Sequence, residues 1–137
     1  MTVATLTLTA AADLARTARV VSTSVARAGG LDEDTVAEVR QAVGEAVARA
    51  LVRQRLAGYD GDLRLVLHDD ADVFVVEVHD GAPADVEDDT TRRALALAEA
   101  LAARTEVLSG PQGSVLRLAW PRLDLPSNSN GLLPASS

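Results

Sequence analysis

Apolar and polar positions change their period several times along the chain. Over 3–9 they alternate, with Ala4, Leu6 and Leu8 on one side and Val3, Thr5, Thr7 and Thr9 on the other. A period of two with β-branched residues predicts a strand. From about Ala10 to Arg27 the spacing becomes helical, through Leu14, Ala18, Val21 and Val25, and Gly29-Gly30 closes the segment. A longer helix follows, capped by Asp32 or Asp34. Its apolar stripe is Val36, Val39, Val43, Ala46, Val47 and Ala50, and it ends at Gly58. Glu38, Gln41, Glu45, Arg49 and Arg53 form its polar side.

Beyond Gly58 the period returns to two. Leu63, Leu65 and Leu67 share one face of a strand over 62–68. Phe74, Val76 and Val78 share one face of another over 73–79, and the Asp-rich turn 69–72 makes a hairpin of the pair. A short acidic loop, 80–89, leads to a third helix from Asp89 or Thr90 through Ala94, Leu97 and Leu101 to about Ala103. Strands over about 104–109 and 114–120 flank the turn 109–113, with Leu116, Leu118 and Trp120 on one face of the second. The order β-α-α-β-β-α-β-β, joined largely by hairpins, predicts an α+β, two-layer sandwich: a mixed, mostly antiparallel sheet covered on one face by helices. The domain is expected over 1–122. The Pro-, Ser- and Asn-rich segment 123–137 is expected to be a disordered tail.

Composition narrows the function. The 137 residues carry a net charge of −7, so direct nucleic-acid binding is not expected and a basic protein partner suits the charge better. There is no Cys, which excludes disulfides and thiolate metal sites. No apolar run is long enough to span a bilayer and the N-terminus lacks a signal peptide's basic start, so a cytoplasmic location and no membrane contact are expected. His68 and His79 lie on strands and read as structural rather than catalytic or metal-binding. The phosphate-binding, dinucleotide, zinc-protease and nucleophile-elbow signatures are absent.

Two stretches carry a more specific signal. Val43-Gly-Glu-Ala-Val-Ala-Arg-Ala-Leu51 lies on the long helix, and Val76-Glu-Val-His-Asp-Gly-Ala-Pro-Ala84 lies at a strand end. Together with the run 94–102, the segment Thr105–Leu108 and Gly110-Pro-Gln-Gly-Ser-Val-Leu-Arg-Leu118, they resemble the GHKL (Bergerat-fold) ATPases. The likeness is to the anti-sigma factor serine kinases of Gram-positive and actinobacterial bacteria, and it covers about residues 1–122.

That resemblance implies roles by position. Glu45 matches the glutamate that polarises the target serine, and Asp80 matches the aspartate that reads the adenine amino group. Arg49 stands where an asparagine holds Mg²⁺, and a guanidinium offers no oxygen ligand. Ala82 and Ala84 replace two glycines of the nucleotide loop. Only Asp85 to Thr91 separates Ala84 from the next helix, too few residues for a lid, and Asp85, Glu87, Asp88 and Asp89 would repel a triphosphate. Without these parts Glu45 and Arg49 read as a surface ion pair at i,i+4.

The expectation is an anti-sigma-type regulator. It would bind a sigma factor, a STAS-domain anti-sigma antagonist or both, with little or no kinase activity and no cofactor. Partner contacts are expected on helix 10–28 and on Glu38, Gln41, Glu45, Arg49 and Arg53, and a homodimer is plausible by the same resemblance. The enzymatic alternative is an active serine/threonine kinase using ATP and Mg²⁺, with Glu45 as base. A third reading is a homodimeric scaffold with a small ligand between Glu45, Asp80 and Arg93.

Overall fold

The computed structural model describes residues 2–8, 13–111 and 113–122. β1 (Thr2–Leu8) is followed by α1 (Leu14–Ala28), α2 (Glu33–Ala57), β2 (Leu63–Asp69) and β3 (Val73–Asp80). Then come α3 (Asp89–Leu101), β4 (Arg104–Gly110) and β5 (Gly113–Pro121). The element order is the one the patterning predicts. The expected tail 123–137, residues 9–12 of the predicted first strand and helix, and Gln112 of the last turn lie outside the described residues.

Local chemistry sets the helix ends. Gly30, at φ 86°, closes α1, with its N–H on Arg27 O and that of Leu31 on Ala26 O, both 3.1 Å. Only a residue without Cβ enters this left-handed turn without strain. Asp32 then caps α2, its Oδ1 accepting from Thr35 N at 2.8 Å. Gly58, at φ 68°, ends α2 in the same way, and Tyr59 N donates to Gln54 O at 2.9 Å.

The strands form one sheet in the order β1-β2-β3-β5-β4, and every pairing is antiparallel. The sheet, expected to be mixed and mostly antiparallel, is antiparallel throughout: even β3 and β5, separated by α3, run in opposite directions. In register, Leu65 faces Val78, Leu67 faces Val76 and Val76 faces Leu118, so the apolar sets align across the sheet. The helices cover that face, α1 over β2, α2 over β3 and β5, and α3 beside β4. Val39, Val43 and Val47 of α2 are wholly buried against Leu65, Leu67, Val76 and Leu118. Each such side chain contributes about 1.5–3 kcal/mol on burial.

α2 is the middle helix of its layer, and that changes its polar side. Glu38 and Gln41 are exposed and Glu45 is half-buried, but Arg49 and Arg53 are buried. The predicted solvated stripe therefore ends after Glu45. The last turns of α2 are covered by α3 and by the loop between β3 and α3.

A self-filled site beneath the β3–α3 loop

The site is built where β3 ends under α2. Strand alternation places Asp80 on the helix-facing side with Phe74, Val76 and Val78. Arg53 lies on the buried stripe of α2, one turn past Ala50, and its side chain points at the same spot. It makes a two-pronged ion pair with Asp80, Nε to Oδ2 at 3.0 Å and Nη2 to Oδ1 at 3.3 Å. A planar guanidinium suits this fork geometry.

The remaining donors of Arg53 hold the loop. Nη2 donates to Ala82 O at 2.8 Å and Pro83 O at 3.1 Å, and Nη1 to Val86 O at 2.6 Å. One turn earlier, Arg49 Nη2 donates to Glu87 Oε2 at 2.6 Å, an oxygen that also lies 3.3 Å from Arg53 Nη1. The other oxygen of Glu87 accepts from Thr91 Oγ1 at 2.6 Å, inside the capping box that Asp88 and Thr91 form at the start of α3. Gln54 adds a further tie, its Oε1 accepting from Gly81 N at 2.9 Å and its Nε2 donating to Gly61 O at 3.0 Å.

Two cations and two carboxylates thus neutralise each other inside the protein, the arrangement that buried charge requires. Burial pushes Glu87 up, but the Thr91 hydroxyl and the charges of Arg49 and Arg53 outweigh it and hold the carboxyl below the usual glutamate range.

The candidate residues separate into two places. Asp80 and Arg53 meet. Arg49 joins them through Glu87, which corrects the expected Glu45–Arg49 pair: burial turns Arg49 toward the loop. Arg49 and Arg53 are accordingly not a free partner-binding face. The side chain of Ala82 is wholly buried, and Ala84 is exposed at the loop tip. Arg93 is exposed on α3 and joins no shared cavity with Glu45 and Asp80 among the described residues.

Glu45 lies instead in a groove of about 790 Å³ along α2 between α1 and α3. Ala37, Gly44 and Ala48 form its floor, Leu97 and Leu101 one wall, and Arg19, Arg40, Gln41 and Glu45 its polar rim. A Cβ at position 44 would meet Arg19 Nη1 at 3.1 Å and Cδ at 3.3 Å, so the stem of Arg19 lies across α2 at its mid-helix glycine.

Both histidines attend Glu77 on the open face of the sheet. His79 Nε2 is 3.0 Å from its Oε1, His68 Nε2 is 3.6 Å from Oε2, and Arg117 Nη1 donates at 3.1 Å. Burial pushes Glu77 up, and these three partners more than offset it, so its carboxyl also sits below the ordinary range. Among the described residues no His, Cys, Asp and Glu group is disposed to hold a metal ion. No helix of the described residues is long and apolar enough to cross a membrane.

The fold and the paired motifs meet one family. The sequence profile of the histidine kinase-like ATPase domain matches residues 8–120. The chain belongs to that family. Among solved structures it is similar to the RsbU and RsbW domains of Rv1364c from Mycobacterium tuberculosis, with a TM-score of 0.67 and 22% identity. That match covers 85% of this chain and spans only 31% of the other. It is also similar to the SiaB–SiaC complex structure from Pseudomonas aeruginosa, with a TM-score of 0.64 and 12% identity, covering 87% of this chain and 91% of that one. At these identities the likeness is one of fold. No curated protein matches.

The ATP and Mg²⁺ that this family name implies do not fit the residues present. Position 49, where the resemblance would place a metal-binding asparagine, carries a guanidinium, which has no lone pair for a metal. Both oxygens of Asp80 already accept from within the chain, Oδ1 from Ala82 N and Arg53 and Oδ2 from Arg53. The loop is bound down on α2 by its own carbonyls, so the α2-facing side of Asp80 is occupied by protein, and the open space beside it is a small cleft of about 310 Å³ toward Tyr59, Gly81 and Ser114.

Proposed function

We propose that this histidine kinase-like ATPase domain is an anti-sigma-type regulator that acts by holding a protein partner and does not transfer phosphate. The partner would be a sigma factor, a STAS-domain antagonist, or both. The observation that carries the reading is the Arg53–Asp80 fork, together with the Arg49–Glu87 pair at the position that the family resemblance would give to a metal ligand. A phosphoryl-transfer site works through metal, positioning and charge neutralisation, and here the neutralising cations serve the protein's own carboxylates. The groove along α2, with its small-residue floor and Arg19 and Arg40 on its rim, supports a docking place for a partner helix. One structure of similar fold is described as an RsbW domain and another as a two-protein complex, which favours the same reading.

Calorimetric titration with Mg–ATP tests the catalytic side. No binding heat is expected at millimolar nucleotide. Capture experiments with the host's sigma factors and STAS proteins test the other, and a stable complex with at least one is expected. Micromolar ATP binding, with phosphorylation of an antagonist that Glu45→Ala abolishes, would reverse the assignment in favour of a kinase.

A further inference from the structure

The family nucleotide does not fit, yet the β3–α3 loop is not left loose. Its carbonyls and Glu87 are gathered by two arginines of α2, and Glu87 is in turn bonded to Thr91 in the first turn of α3. A continuous chain of charge-assisted bonds therefore runs from α2 through the loop into α3. We propose that this arginine clasp is a permanent internal substitute for a bound ligand: it fixes the loop and the start of α3 against α2, and so sets the α3 wall of the partner groove with no nucleotide present.

Three features carry the inference. First, the clasp is stoichiometric. Arg49 and Arg53 face Asp80 and Glu87, two charges against two, and the surplus donors of Arg53 are spent on three loop carbonyls, while Nε of Arg49 has no partner among the described residues, so an added anion would compete with carboxylates already paired there. Second, its cations are buried. Arg53 is wholly buried and Arg49 nearly so, which strengthens their bonds to Asp80 and the loop, and Glu87 at the outer end is partly exposed. Third, it ends on the helix that matters. The same α3 that starts at the Asp88–Thr91 capping box carries Leu97 and Leu101 into the groove, two to three turns further on. A helix is stiff over that distance, so a displacement at its first turn moves the groove wall.

The part about the groove rests on the partner-binding reading above; the part about the clasp does not. Amide hydrogen exchange on the full chain tests the clasp by itself. In the wild type, protection over residues 81–95 should be high and unchanged by millimolar Mg–ATP. In Arg49→Gln, which breaks the tie to Glu87 but keeps the Arg53–Asp80 fork, exchange over 81–95 should rise by roughly tenfold or more while β2 and β3 stay protected. Thr91→Val, which cuts the last link together with the Thr91 half of the capping box, should raise exchange at the start of α3 without loosening 81–86. Loop protection that depends on Mg–ATP in the wild type, or that is indifferent to Arg49→Gln, overturns the clasp. Where a partner has been captured, its affinity should fall roughly tenfold in Arg49→Gln, although residue 49 does not line the groove. Equal affinity in the two proteins refutes the coupling to the groove. A wild type that captures no partner refutes the functional reading and leaves the exchange experiment to decide on the clasp.

Discussion

Arg53 holds Asp80 by two nitrogens, Nε on Oδ2 at 3.0 Å and Nη2 on Oδ1 at 3.3 Å, with both side chains almost wholly out of water. The pair decides what the end of β3 can do. Both oxygens of Asp80 accept from α2, and Oδ1 accepts from Ala82 N as well, so the carboxylate is held in one orientation by the protein itself. The same pair exposes the domain to mutation.

Arg53→Met should destabilise the fold by about 3–5 kcal/mol, because it leaves Asp80 buried without its counterion. Urea denaturation followed by circular dichroism measures this. Adding Asp80→Leu to the same chain should restore much of the loss, since two apolar groups do not need each other's charge. If the double variant is as unstable as the single one, the ion pair is not the origin of the loss.

The pH dependence should have a definite sign. Glu87 has a folded pKa below its unfolded value, held there against burial by Thr91, Arg49 and Arg53. A lowered carboxylate contributes stability that is fully present above the unfolded pKa of about 4.3 and is lost as pH falls through the folded value. Glu77, lowered by His79, His68 and Arg117, adds to the same acid limb. Melting temperature should therefore fall as the solution is acidified below that range. Glu87→Gln should start lower at neutral pH and lose less on acidification. Parallel curves for the two proteins would remove Glu87 from the linkage.

Most of the fold was legible because period is a strong signal. The alternation Leu63-Leu65-Leu67 and Phe74-Val76-Val78, and the stripe Val36 to Ala50, fall where the structure buries them. The Gly58 stop and Asp32 cap were legible for chemical reasons, the left-handed turn and the N-terminal acceptor. The interior polar network was not. Arg49 and Arg53 look on the chain like the continuation of the solvent stripe of Glu38, Gln41 and Glu45. Nothing local says that α3 and the loop will cover them. Glu87 looked like one more acid in a loop that repels phosphate, and it is instead the partner of Arg49. Gln54, which holds Gly81 and Gly61, gave no signal at all. A trace was present in the charge count, since two arginines four apart on α2 answer two acids at the ends of one loop. Reading it required knowing that the loop folds back.

Arg19→Glu should separate binding from folding. Arg19 makes no ion pair among the described residues and sits half-exposed on the groove rim. Stability should change by no more than about 0.5 kcal/mol, as for other surface substitutions. Affinity for a captured partner should fall by tenfold or more, roughly the effect of like charges brought together at an interface. Surface plasmon resonance across salt concentrations reads it, and unchanged affinity would move the docking site off this groove.

Gly44→Ala is the finer test of the same place. A glycine in the interior of a 25-residue helix is destabilising by about 0.5–1 kcal/mol relative to alanine, so the substitution favours α2 on propensity alone. The new methyl would press on the stem and tip of Arg19 at 3.1–3.3 Å. That side chain is flexible and makes no ion pair among the described residues, so it swings away and the propensity gain survives. The expected variant is therefore as stable as the wild type or up to about 1 kcal/mol more stable, yet binds its partner more weakly, because the guanidinium no longer lies across the groove. Thermal melts and binding isotherms on the same preparation check both halves. A variant that gains stability and keeps full affinity would mean that Gly44 is there for close helix packing and that the seat of Arg19 is incidental.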